Sequence, residues 1–142
     1  MMNDFDPARL VSSFGKFGHG ALTGIIYRAH GDDWVEMALP YREALVGDLD
    51  TGILASGPIF TLMDMVTSIS IWIKSGVFRP QATLDMRVDY LRPAEPGKTV
   101  IGRGECYKLT KSIAFVRGEA HDGDPAHPVA HVAGTFMFTA VS

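Results

Sequence analysis

Between Asp50 and Lys74 the chain carries one charged residue, Asp64, near the middle of the apolar stretch GPIFTLMDMVTSISIWI, Gly57 to Ile73. Its 17 residues sit at the low end of what a membrane-spanning helix needs, and a carboxylate at mid-depth opposes spanning. The stretch therefore reads as the buried helix of a globular domain. Pro58 suits a first helical turn, where its missing N–H costs nothing. Ser56 or Gly57 is the expected N-cap, and Gly76 and Pro80 bracket the exit. A helix apolar nearly all round is expected to be buried nearly all round.

The rest of the chain supplies the cover. From Gln81 the hydrophobic period changes to two. In TLDMRVDYL, residues Leu84, Met86, Val88 and Tyr90 share one face, and Thr83, Asp85, Arg87 and Asp89 the other. RPAEPG is a turn. The stretches TVIGRGECYKL, SIAFVRGEA and HPVAHVAGTFMFT read as three more strands, joined at Thr110-Lys111 and through HDGDPA. Ahead of the helix, LTGIIYRAH and WVEMALP read as strands joined by Gly31-Asp32-Asp33, followed by the loop YREALVGDLDTGILAS. At the start, Leu10, Val11, Phe14 and Phe17 fall at helical spacing and predict a short amphipathic helix ending at Gly18. The order is two strands, one long helix, then four strands: an α+β domain of antiparallel strands on one buried helix. It is expected to span residues 1–142 as a single domain, with the N-terminal helix in 1–18 and the core over about 22–140.

Composition narrows the class. Hydrophobic residues make up 46% of the 142 and charged residues 20%, ordinary for a globular protein. The single cysteine, Cys106, fits a reducing compartment. The first ten residues lack a basic segment followed by an apolar run, so a cytoplasmic location is expected. A net charge of −3 gives no reason to expect a nucleic-acid partner, and no membrane partner is expected. No Ser-His-Asp order, P-loop or dinucleotide glycine motif is present. His127 and His131, four apart on a strand, are about 13 Å apart along it, too far to share one ion. His121, Asp122 and Asp124 read as polar turn residues. No metal is expected.

Asp64 is the candidate catalytic group. A lone buried carboxylate costs several kcal/mol even after relaxation, so a helix this apolar keeps one for a use or a partner. It could activate water or attack an electrophile. The plainer alternative is an aspartate favoured by the helix macrodipole near the N-terminus.

These segments resemble a known family. The element order is similar to the hotdog fold, a six-stranded antiparallel sheet wrapped around one long central helix. TGILASGPIFTLMD resembles the PaaI-like acyl-CoA thioesterase pattern, in which an HGG turn precedes a helix carrying Leu-x-Asp. That Leu-x-Asp falls on Leu62, Met63 and Asp64, the two glycines on Ser56 and Gly57, and the histidine on Ala55. TLDMRVDYLRPAEPG resembles the strand after the helix with its Pro-Ala turn, and TKSIAFVRGEA the next hairpin. The resemblance covers roughly residues 35–140. Ala55 and Ser56 depart from the pattern, and the asparagine common before the turn has no match near Leu49.

The resemblance implies hydrolysis of an acyl-CoA thioester. Asp64 would be base or nucleophile, the Gly57 N–H the oxyanion donor, and Thr83 the residue that orients water. Strand parity places Thr83 opposite Leu84 and Met86. Ala55, Ser56, Ile59, Phe60 and Met63 would line the acyl site. Arg92, Lys111 and Ser112 sit in turns that hold coenzyme A phosphates in relatives, although solvated surface charge is the safer reading for each. No cofactor is implied beyond the coenzyme A of the substrate. The family pairs sheets into a homodimer or a dimer of dimers, with the site between subunits. A non-catalytic acyl-CoA or lipid-binding hotdog protein, a hotdog dehydratase or hydratase, and a structural dimerisation module are the alternatives.

Overall fold

The computed structural model describes residues 5–139. The ends of the expected domain span, residues 1–4 and 140–142, lie outside the described residues. Helices α1 (Pro7–Phe14) and α2 (Gly18–Thr23) precede strands β1 (Ile26–His30) and β2 (Trp34–Leu39). A two-stranded ribbon, β3 (Val46–Asp48) and β4 (Ile53–Leu54), leads into the long helix α3 (Ser56–Ser75). Then come β5 (Gln81–Tyr90), β6 (Val100–Leu109), β7 (Ile113–His121) and β8 (Ala130–Phe138). Six strands form one antiparallel sheet in the order β1-β2-β6-β7-β8-β5, and α3 packs chiefly on β6, β2 and β7. This is the expected hotdog arrangement, and α3, apolar and long enough to span a bilayer, is its core helix.

Glycines let the helix lie close. Gly104 of β6 pairs with Gly118 of β7 under the middle of α3. A Cβ on Gly104 would stand 2.5 Å from the Val66 carbonyl carbon and 2.6 Å from the Thr67 nitrogen. A Cβ on Gly102 would stand 2.8 Å from Leu62 Cγ, and one on Gly118 3.1 Å from Met63 Cε. Into this hollow α3 lowers Leu62, Met63, Val66 and Ile69, packed with Val35, Met37, Leu39 and Val100. Each fully buried side chain of this class contributes about 1.5–3 kcal/mol.

The outward face of the sheet is polar, as the alternation requires. One row of cross-strand neighbours runs Glu36, Arg103, Glu119, His131, Asp89, and Arg28 meets Glu36 at 3.2 Å. Alternating charges here leave little for another chain to pair with non-specifically.

Four sequence expectations change. Gly18 does not end the first helix. Gly15 ends it, and Gly18 opens α2, which takes up Leu22 and Thr23, expected as the start of the first strand. The loop before α3 holds the β3–β4 ribbon, too short to show a period. The N-cap is Ala55, extended at φ −61 and ψ 151, because its N–H is already committed to Leu45 O at 2.9 Å. Finally, α3 is not buried all round. Gly57 and Phe60 are exposed, and Thr61, Asp64 and Ser68 half-buried, a stripe at i, i+3, i+4, i+7 spacing that looks toward β5 and the open side.

Candidate active site

The site is built where this stripe meets β5. Strict alternation would turn Thr83 away from the helix. Instead the register between β5 and β8 slips: Thr83 pairs with Phe136, Asp85 with Thr135, and Leu84 between them has no partner. This is a β-bulge, one extra residue that re-aims the side chains beyond it. It puts Thr83 on the same side as Met86, Val88 and Tyr90, and Leu84 out into solvent at 53% exposure. The expected parity of Thr83 is therefore corrected. As a result Thr83 Oγ1 donates to Asp64 Oδ1 at 2.8 Å. Asp64 is the ninth residue of α3, two turns in, beyond the reach of the N-terminal dipole. Its partner is Thr83.

Two further bonds tie β5 to the same stripe. Gln81 Nε2 donates to Ser68 O and to Ser68 Oγ, each at 2.8 Å. At the other end the Tyr90 hydroxyl donates to Ser56 O at 3.1 Å. The sequence shows Tyr90 on the face of Met86 and Val88, but not this contact.

The start of α3 is electrophilic. No side chain caps it and Pro58 has no N–H, so Ser56 and Gly57 offer the orphan donors of the first turn. A Cβ on Gly57 would have nothing within 4 Å, so the surroundings of this residue are open. Beside it lies a hollow of about 440 Å³ walled by Ile53, Leu54, Ile59 and Leu91, with Ser56 and Tyr90 at its rim. That is within the size range of small-molecule sites.

The other expected site residues scatter. Ile59 lines the hollow. Phe60 is exposed at 40% on the open stripe, whereas Met63 is fully buried, so close to the sheet that a Cβ on Gly102 or Gly118 would stand 3.2 or 3.1 Å from it. Ala55 is half-buried beside Gly47 of β3. Arg92 is committed within the fold. Its terminal nitrogens donate to both oxygens of Asp122 at 2.9 and 2.7 Å, and one also to His127 O. Asp122, buried at 8% exposure, takes a further bond from the Glu95 N–H. The Arg92 guanidinium holds the Asp122 carboxyl well below the usual range. Exposed Lys111 and Ser112 lie in the β6–β7 turn. The nine residues of β7 span about 26 Å, with that turn before one end of the strand and Asp122 just past the other. His127 pairs with Asp124, and His131 stands 3.8 Å from Glu119. Among the described residues no three His, Cys, Asp or Glu side chains group as a metal site.

An antiparallel sheet curled on one helix defines a hotdog domain, here with a carboxylate on the helix's open stripe and N–H groups without a side-chain cap at its start. The chain belongs to the thioesterase superfamily, whose profile matches residues 51–128. A Pseudomonas aeruginosa protein of solved structure is 38% identical over 93% of this chain and 96% of its own, with a TM-score of 0.81. A thioesterase from Haemophilus influenzae shares the fold at 17% identity, covering 97% of this chain and 93% of its own, TM-score 0.82. So does a mutant of the phenylacetic acid degradation protein PaaI from Thermus thermophilus, at 24% identity over 84% and 96%, TM-score 0.70. No curated protein matches the chain in sequence.

Proposed function

We propose that this chain is a PaaI-like acyl-CoA thioesterase, hydrolysing an acyl-CoA to free acid and coenzyme A. The observation that carries the reading is the 2.8 Å bond from Thr83 to Asp64, made possible by the bulge at Leu84. A threonine turned inward against strand parity, onto the one carboxylate of the core helix, is a built feature. The Gly57 N–H polarises the thioester carbonyl and stabilises the developing oxyanion. Thr83 occupies Oδ1 of Asp64 and fixes the carboxylate. Oδ2 then takes a proton from water as its oxygen adds to the carbonyl carbon, or itself adds there. The C–S bond breaks and coenzyme A leaves as a thiolate that takes up the proton. In the second case water opens the resulting anhydride to the free acid and the carboxylate. The apolar hollow beside Ile59 and Leu54 takes the acyl group, of aromatic or medium aliphatic size. Lys111 and Ser112 meet the coenzyme A phosphates.

This chemistry requires a second subunit. Gly57 and Asp64 are seven residues apart on α3, about 10 Å along its axis, too far for one carbonyl carbon to lie within reach of both. Among the described residues β5 is an edge of the sheet with no strand beyond it, ten residues long, a form that invites pairing. One end of β5 holds Thr83 and Asp64, and the other Tyr90 and the start of α3. Two-fold pairing of β5 with its copy exchanges the ends. It brings Asp64 of one protomer to Gly57 of the other, and the Lys111 turn toward the Arg92 end.

Hydrolysis of benzoyl-CoA and hexanoyl-CoA, followed by thiol release, tests the activity directly. Gly57→Leu tests the donor. The site has room for a side chain, and leucine is a better helix former than glycine by about 0.8 kcal/mol, so the melting temperature is expected not to fall. The side chain fills the space before the N–H and lowers kcat/KM by one to two orders of magnitude, toward the low end of the cost of losing an oxyanion donor. Undiminished turnover by Gly57→Leu would remove Gly57 from the mechanism.

A further inference from the structure

We infer that Tyr90 is a positioning residue for the oxyanion donor, holding the Ser56–Gly57 peptide unit from behind. The inference rests on the thioesterase reading and deepens it. The Tyr90 hydroxyl donates to Ser56 O at 3.1 Å, and the Ser56 carbonyl and the Gly57 N–H belong to one peptide plane. In a trans peptide these two groups point in opposite directions. The Tyr90 hydroxyl therefore stands behind the peptide, on the side away from the thioester carbonyl, and does not touch the reacting atoms. Its effect reaches the substrate through the peptide in two ways.

The first is orientation. The first turn of α3 is held by no side-chain cap, and its third residue, Pro58, makes no N–H bond. Ser56 and Gly57 are both exposed. The Ser56 carbonyl takes the first-turn helical bond from the Phe60 N–H, but helix ends fray, and an oxyanion donor is effective only when aimed beforehand. The bond from Tyr90, anchored on the ten-residue strand β5, is a second hold on the same carbonyl and ties that plane to the sheet. The second is polarisation. A donor on the carbonyl strengthens the N–H on the other side of the same amide, since hydrogen bonds in chains polarise one another. Partial burial pushes the Tyr90 phenol above the ordinary tyrosine value, so the group remains a donor throughout the neutral range. The site of Tyr90 also explains its place at the rim of the acyl hollow. The ring closes one wall while its hydroxyl is turned to the helix.

The test is Tyr90→Phe, assayed with benzoyl-CoA and hexanoyl-CoA beside the wild type and Asp64→Asn. The ring stays and only the hydroxyl leaves. We expect kcat to fall about tenfold, less than the 10²–10³ for deleting an oxyanion donor outright, with KM changed less than twofold and an unchanged melting temperature. Monofluorinated tyrosine at position 90, a stronger hydrogen-bond donor, is expected to restore kcat to the wild-type value or above. A wall residue acting by packing would move KM and would not follow donor strength. Full kcat in Tyr90→Phe, or a change confined to KM, would overturn the assignment while Asp64→Asn remained inactive. A wild type without turnover on any acyl-CoA, or an active Asp64→Asn, would instead overturn the thioesterase reading and this inference with it.

Discussion

Asp64→Asn is expected to lower the turnover of acyl-CoA hydrolysis by two to four orders of magnitude, the range for loss of a positioned acid–base group. The amide keeps the shape of the carboxylate, and its oxygen still accepts from Thr83 Oγ1, which now stands 2.8 Å from Oδ1. Geometry and packing are therefore kept, while the second oxygen becomes an NH₂ that neither takes a proton nor attacks a carbonyl. Because the aspartate is half-buried and bonded to a single hydroxyl, its replacement is expected to leave the circular dichroism spectrum and melting temperature close to wild type. Binding of a non-hydrolysable thioether analogue is expected to persist. Steady-state thiol release from the pure variant gives the answer, and near-full activity would remove Asp64 from the mechanism.

Gly104→Ala is expected to be among the most damaging small substitutions in the sheet. The added methyl would stand 2.5 Å from the Val66 carbonyl carbon and 2.6 Å from the Thr67 nitrogen. Both are backbone atoms of α3, so no rotamer change relieves the clash. Either the helix lifts off β6 or the sheet bends. Lifting loosens Leu62, Met63 and Val66, all fully buried. Overpacking costs about 1–3 kcal/mol, and more where nothing can yield, so a loss of about 3 kcal/mol and a fall in melting temperature of roughly 10 °C are expected. Activity should fall with it, since Asp64 is carried on the displaced helix. Thermal unfolding checks this, and an unchanged midpoint would mean that the close approach of α3 to Gly104 does not matter to the fold.

Much of the fold is legible in the sequence because two periods are strong. The apolar run from Gly57 to Ile73 and the alternation of TLDMRVDYL specify the core helix and its neighbouring strand. Element order and the resemblance supply the sheet. The lone charge in that apolar run singles out Asp64. What the residues do not declare is the irregular part. The bulge at Leu84 leaves the pattern of alternation almost intact, since Leu84, Met86 and Val88 are all apolar, yet it moves Thr83 to the other face. The β3–β4 ribbon is too short for a period. Ala55 as N-cap follows from a backbone bond to Leu45, which no local motif encodes. Arg92 looks like a free cation in a turn until folding brings Asp122 beside it, thirty residues away. Tyr90 is legible as an inward residue, but its partner on Ser56 is a product of the register between helix and strand.

The central claim, a thioesterase site shared between two protomers, is tested most directly by a purified mixed dimer. Asp64→Asn and Gly57→Leu, each expected to be impaired as a homodimer, are co-expressed with different affinity tags, and the doubly tagged species is isolated. In a two-fold dimer with composite sites, one site receives both substitutions and the other receives intact Asp64 and intact Gly57. The account predicts recovery to about half the wild-type rate of benzoyl-CoA or hexanoyl-CoA hydrolysis, as the isologous arrangement requires. A mixed dimer no more active than its parents, or no dimer at all, would contradict it.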